Sequence, residues 1–159
     1  MAHQLTRLGA AAAIATAAVI AGSGQAAAQP TSVTIDGNMQ VLGMNVLHVD
    51  AQSSPGDPTS GTYVATAKLG NMNLPIRVTG PVTCLTVRDN TVSLVYPITT
   101  MEPVMLFPPD SMAIQITVMK GQAGQPNRIG YGMPMPTSSF RGCEPGPTPL
   151  MFDGTIDIR

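Results

Sequence analysis

Charge is scarce in this chain. Among 159 residues, Lys and Arg number 8 and Asp and Glu 9, for a formal net charge of −1 and a pI near 6.0. Nucleic acid is gripped by clustered Lys and Arg that displace phosphate counterions. No such cluster exists here, so nucleic acid is excluded as a partner. Histidine is rarer still, at 2, and cysteine also stops at 2. Their spacing fits no zinc pattern, since His3 lies at the extreme N-terminus and 59 positions separate Cys84 from Cys143. Tryptophan is absent, and aromatic residues make up only 4% of the chain.

Long apolar runs are limited to the N-terminus. Residues 1–7 carry one Arg and no acid, and residues 8–21 are an Ala-rich apolar stretch of signal-peptide length. Ala26 and Ala28 then satisfy the A-x-A rule ahead of Gln29. Residues 1–28 therefore read as a removed signal peptide, cleaved between Ala28 and Gln29, and residues 29–159 as one secreted β-domain. A spanning helix needs about 20 apolar residues, so an uncleaved anchor is the lesser reading, and no transmembrane span remains after cleavage. No Cys follows the run and no Arg-Arg pair precedes it, which argues against a lipid anchor and the twin-arginine route. The expected location is extracellular or the cell envelope, with a partner there that the sequence does not name. No oligomeric state follows from the sequence.

The mature segment holds all 15 prolines, and seven basic side chains against nine acidic. Proline and glycine at this density leave little uninterrupted chain for helices. Strands are the alternative, and period-two alternation supplies them. Phe152, Ile156 and Ile158 alternate with Asp153, Thr155 and Asp157; Ile114, Ile116 and Val118 with Gln115 and Thr117; and Leu74, Ile76 and Val78 with Arg77 and Thr79. Val33 with Ile35, residues 39–49 and residues 62–68 add three more strands, with Gly43 marking a bulge in the second. Residues 82–96 read as a hairpin turning at Asp89-Asn90. Val87 then faces Val92, and Leu85 faces Leu94, on one apolar side. The fold class is all-β: a single-domain β-sandwich or small β-barrel of about eight strands.

Two cysteines in an oxidising compartment imply one disulfide, Cys84 to Cys143. Closing a loop of about 59 residues removes unfolded-state entropy equivalent to roughly 4 kcal/mol. In the hairpin register Cys84 shares the face of Thr86 and Ser93, opposite the apolar one. The bridge is thus expected to tie the segment around Cys143 onto the outside of the sheet. Residues 121–148 are long for a structureless loop, and Cys143 is their expected pin.

The run Gly80-Pro81-Val82-Thr83-Cys84-Leu85-Thr86-Val87 fits G-x-V-T-C-L-x-V, and the chain closes on Asp153-Gly154-Thr155-Ile156-Asp157-Ile158. With these pieces, residues 61–159 resemble small exported actinobacterial proteins of unknown function. The turn Asp89-Asn90 departs from the Gly-Asn of that group. The resemblance implies an exported β-domain and brings no activity with it.

Catalysis has little to draw on. His48 and Asp50 alternate onto one strand face, so Asp50 could orient the imidazole toward a hydroxyl elsewhere, but an ordinary exposed strand histidine is the favoured reading. The carboxylates are scattered with no glycosidase-like or calcium-loop pairing, and both cysteines are committed. We therefore expect no enzyme, no catalytic residues and no cofactor. Methionine, at 11, is the compositional oddity. Thioethers suit Cu(I), and Met133-Pro134-Met135 could supply two ligands with Met101 or Met105 completing the set. Packing in a core without Trp, or on the surface, is the favoured reading of the methionines, with Cu(I) the lesser one. A further alternative is a small apolar ligand in a barrel cavity, with residues 101–109 as a greasy lip. The main expectation is a secreted, non-enzymatic interaction or structural protein outside the membrane.

Overall fold

Alternating burial builds the first sheet. In β1 (Thr31–Asn38) Val33 and Ile35 are buried while Ser32, Thr34 and Asp36 face solvent. The computed structural model describes residues 31–39, 44–67, 76–103 and 107–159. β2 (Met44–Ser53) repeats the pattern, with Leu47, Val49 and Ala51 in and His48 and Asp50 out. β3 (Ser60–Ala67), β4 (Ile76–Pro81) and the short β7 (Thr100–Glu102) extend the sheet on one side. The C-terminal β12 (Asp153–Ile158) pairs antiparallel with β1 on the other side. The order is β12-β1-β2-β3-β4-β7.

The second sheet contains β5 (Cys84–Arg88), β6 (Thr91–Pro97), β8 (Met112–Met119), β9 (Arg128–Tyr131), β10 (Met135–Pro136) and β11 (Leu150–Met151). Its order is β11-β9-β8-β6-β5, with β10 also on β8. β5 and β6 form the expected hairpin. Val87 pairs with Val92, Leu85 with Leu94, and Arg88 with Thr91. The two-residue turn between them needs positive φ, which Asp89 supplies at 53°.

The chain passes between sheets after β6. The Ile98 amide donates to the Met112 carbonyl in the second sheet, and the Thr99 amide to the Thr79 carbonyl in the first. At this corner a Cβ on Gly80 would stand 1.9 Å from the Pro97 carbonyl oxygen, so only glycine lets the strands cross.

The inner faces enclose one core, including Ile35, Val49, Leu94, Ile98, Ile116, Ile129 and Phe152. Tyr63 and Tyr96 stack at its centre, ring centroids 3.4 Å apart and planes inclined by 16°. The two sheets face each other as a sandwich and do not close into a barrel. Of the two architectures expected, the sandwich is the one observed, with the two inner faces packed on each other in one core.

Four expectations are corrected in detail. The described residues hold twelve strands rather than about eight, because β7, β10 and β11 have only two or three residues each and are too short to show a period. The stretch 121–148 is not structureless, since it contains β9, β10 and a single 3-10 turn at Thr137–Ser139. β8 is buried on both faces rather than half-buried: Thr117 and Ala113 are as enclosed as Ile116. Of the expected strand 39–49, residues 44–49 lie in β2, Met39 is outside any strand, and residues 40–43 lie outside the described residues. Gly43, Leu74, Lys68 and Met105 lie outside the described residues. The β2–β3 register does shift between Met44 and Val46. Among the described residues no helix is long and apolar enough to cross a membrane.

Burial pushes the phenols of Tyr63, Tyr96 and Tyr131 above their ordinary value of 10.0. A folded-state value above the unfolded one stabilises the protein fully below pH 10 and loses that contribution as pH rises further. Each phenol held neutral removes about 1.4 kcal/mol of stability per pH unit in that range. Phenolate absorbance is therefore expected to appear in one cooperative step with alkaline unfolding; gradual titration of all three phenols near pH 10 in folded protein would contradict this. The buried Tyr96 hydroxyl makes no hydrogen bond of good geometry among the described residues, although the Tyr63 and Tyr131 hydroxyls lie close enough to influence it. Removing an unmet buried donor is neutral or favourable, so Tyr96→Phe is expected to hold or raise the denaturation midpoint. A loss beyond about 1 kcal/mol would contradict that expectation.

Candidate functional site

The two outer faces of the sandwich differ. On the first sheet, cross-strand register lines up Thr155, Asp36, His48, Val64, Thr79 and Thr100 in one row. A second row carries Asp157, Thr34, Asp50, Thr62 and Pro81. Alternation dictates this polar surface, because each of these residues neighbours one whose side chain enters the core. A shallow groove of about 300 Å³ runs along β2 and β3, lined by Asp50, Ala51, Gln52, Ser60, Gly61 and Thr62.

His48 is on this face, but its partner is not Asp50. Nδ1 meets Asp36 Oδ1 across the β1–β2 ladder. Directly opposed residues have Cβ atoms about 5 Å apart, whereas residues two apart on one strand are separated by nearly 7 Å of rise. The ladder neighbour therefore wins. The two side chains are 46% and 53% exposed, so the pair adds little stability. Among the described residues no serine or threonine hydroxyl is hydrogen-bonded to the imidazole, so no relay to a nucleophile is assembled. No group of three or more His, Cys, Asp or Glu side chains there is arranged to hold a metal ion.

The second sheet's outer face is covered. A strap, residues 139–149, crosses it and is held at several points. Cys84 and Cys143 form the expected disulfide, with Cα atoms 5.9 Å apart. Their cluster with Val95, Ala113 and Phe140 is separate from the main core. The bridge thus lies outside the core, on the face shared by Thr86 and Ser93. Gln115 Nε2 donates to the Glu144 carbonyl at 2.7 Å and to Ser93 Oγ at 2.9 Å. Thr117 Oγ1 donates to Ser93 Oγ at 3.2 Å and accepts from the Gly146 amide at 3.0 Å. Arg128 reaches the Thr148 and Pro149 carbonyls, both at 2.8 Å, and Arg88 pairs with Glu144. Gly130 admits the strap: a Cβ there would lie 1.9 Å from the Pro147 carbonyl oxygen. A cleft of about 230 Å³ remains beside the strap, lined by residues that include Gln115, Thr117, Tyr131, Pro147 and Pro149.

Met133 and Met135 sit exposed at the β9–β10 turn. Met101 does not join them. It faces inward from β7 in the first sheet and packs against the main core, because alternation puts its neighbours Thr100 and Glu102 outside. The Cu(I) set therefore loses that third ligand. The Ser93-Gln115-Thr117 network was not foreseen. Its signal was present in Val92-Ser93-Leu94-Val95-Tyr96, an almost unbroken apolar run of the kind that marks a strand covered on both faces.

This geometry defines the class of molecule: an antiparallel β-sandwich with one outer face strapped by a disulfide-anchored segment and the other open. No protein-family model, curated protein or solved structure matches the chain.

A strap held outside the core should detach without unfolding the sandwich. Cys84→Ser/Cys143→Ser is expected to cost about 2–4 kcal/mol and to keep its strand circular dichroism. Trypsin cleavage at Arg141 is expected to accelerate on the order of ten-fold as that segment opens locally. Complete loss of strand signal, or unchanged cleavage after reduction of the wild-type bridge, would contradict the separation of strap and core.

Proposed function

We propose that residues 29–159 are a secreted, non-enzymatic β-domain that acts outside the membrane as an interaction or structural protein, after removal of residues 1–28 between Ala28 and Gln29. The observation that carries this reading is the inequality of the two faces. One is closed by a covalently pinned strap, while the other presents six strands of threonine, serine and aspartate to solvent. Rigid strands hold these side chains at fixed spacing, so a partner that docks meets a surface that loses little entropy on binding. The imidazole on that face is paired with Asp36, and among the described residues no serine or threonine hydroxyl is hydrogen-bonded to it, which supports binding over catalysis. A disulfide supports an oxidising location. The docked partner belongs to the cell envelope or the extracellular space.

Retention of labelled protein on isolated envelopes of the producing cell tests this reading. Thr34→Arg/Thr62→Arg adds bulk and charge to the open face and is expected to lower retention about ten-fold, or 1.4 kcal/mol, with an unchanged melting midpoint. Equal retention, exported protein that still carries residues 1–28, or a hydrolase activity abolished by His48→Ala in folded protein would each overturn the proposal.

A further inference from the structure

Among the described residues, the large apolar side chains that stand exposed are all methionines: Met133 at 76%, Met151 at 66% and Met135 at 44%. All three lie on the same side of β8. Met133 occupies the turn between β9 and β10, Met135 pairs with Ala113 of β8, and Met151 pairs with Arg128 of β9. Leucine would carry a similar apolar exposure at these places. What methionine adds is a polarisable sulfur whose lone pair reaches solvent.

We propose that Met133, Met135 and Met151 are separate surface sulfoxidation sites for hydroperoxides, with Met133 and Met151 reacting first. The sulfur lone pair attacks one peroxide oxygen, the O–O bond breaks and an S–O bond forms. The thioether is oxidised by two electrons to the sulfoxide. The peroxide is reduced, and its departing oxygen takes up a proton and leaves as water or, from an organic hydroperoxide, as an alcohol. No protein acid is needed, because solvent surrounds the sulfur. The product is polar and remains hydrated where it forms, so no core contact is lost. Met39 is the internal contrast. It is 3% exposed within the main core, and a peroxide reaches it only when the sandwich opens. Sulfoxides at exposed methionines are also open to methionine sulfoxide reductases, which makes the modification reversible. The proposal is independent of what docks on the other sheet.

The test uses the folded full chain, a time course of hydrogen peroxide and peptide mapping by mass spectrometry. The Met133 and Met151 peptides are expected to gain oxygen on the order of ten-fold faster than the Met39 peptide, with Met135 between them, while strand circular dichroism persists. In denaturant the rates should converge. Met133→Leu/Met151→Leu is expected to keep the melting midpoint and lose the fast uptake of two oxygen atoms. A Met39 rate equal to that of Met133 in folded protein overturns the proposal. So does a rate difference that survives in denaturant, a fast phase retained in the double variant, or loss of strand signal once Met133 and Met151 are oxidised.

Discussion

Two sheets can share a core only if each offers the other a continuous apolar face. In a chain without tryptophan that face is assembled from aliphatic side chains around a single aromatic stack. Tyr63 from one sheet lies against Tyr96 from the other, with Ile35, Val49, Leu94 and Ile116 in the same core. At roughly 25 cal/mol per Å² of apolar surface removed from water, this layer is the main favourable contribution to folding. The geometry at its margin follows from it. The chain turns from β6 to β7 at Ile98 and Thr99 so that both sheets are bonded across the corner, and Gly80 is bare because two backbones cross there. The Tyr96 hydroxyl, without a hydrogen bond of good geometry, is the polar cost of placing tyrosine at a fully buried position.

Once the inner faces are committed, alternation leaves two outer faces, and the molecule treats them differently. The first sheet follows the simple rule of apolar in and polar out. The second has Val95 and Ala113 pointing outward, apolar surface that would meet water without a cover. The strap supplies that cover. Rich in proline and glycine, it cannot form a core of its own and must be held by attachments. The disulfide fixes one point, and Gln115, Thr117 and Arg128 bind its backbone carbonyls and amides at others. Ser93 is buried outside the main core because it ties Gln115 and Thr117 into one network beneath the strap.

Much of the fold was legible because strands write their faces into neighbouring residues. Val87 opposite Val92, Leu85 opposite Leu94 and the outward turn of Cys84 all follow from a two-residue turn at Asp89-Asn90, and the register agrees. The last strand was readable for the same reason, since Phe152 and Ile156 enter the core and Asp153 does not. Illegible elements were those whose reason lies far along the chain. β10 and β11 are too short to carry a period and exist because β8 and β9 offer them an edge. His48 meets Asp36 rather than Asp50 because ladder register, invisible in the local sequence, brings residues twelve apart closer than residues two apart.

The amino-acid sequence alone determined that this is an all-β chain with one disulfide and a hairpin of known register. Period-two patterning, proline density and a cysteine count of two are local or compositional facts, and no tertiary contact is needed to read them. Only the tertiary structure decided that the sheets form a sandwich and not a barrel, and which outer face is covered. Closure depends on how edge strands meet, and cover depends on where a distant segment is anchored. These relations are absent from any single stretch of chain, because they arise only when residues 84 and 143, or 115 and 144, come within bonding reach.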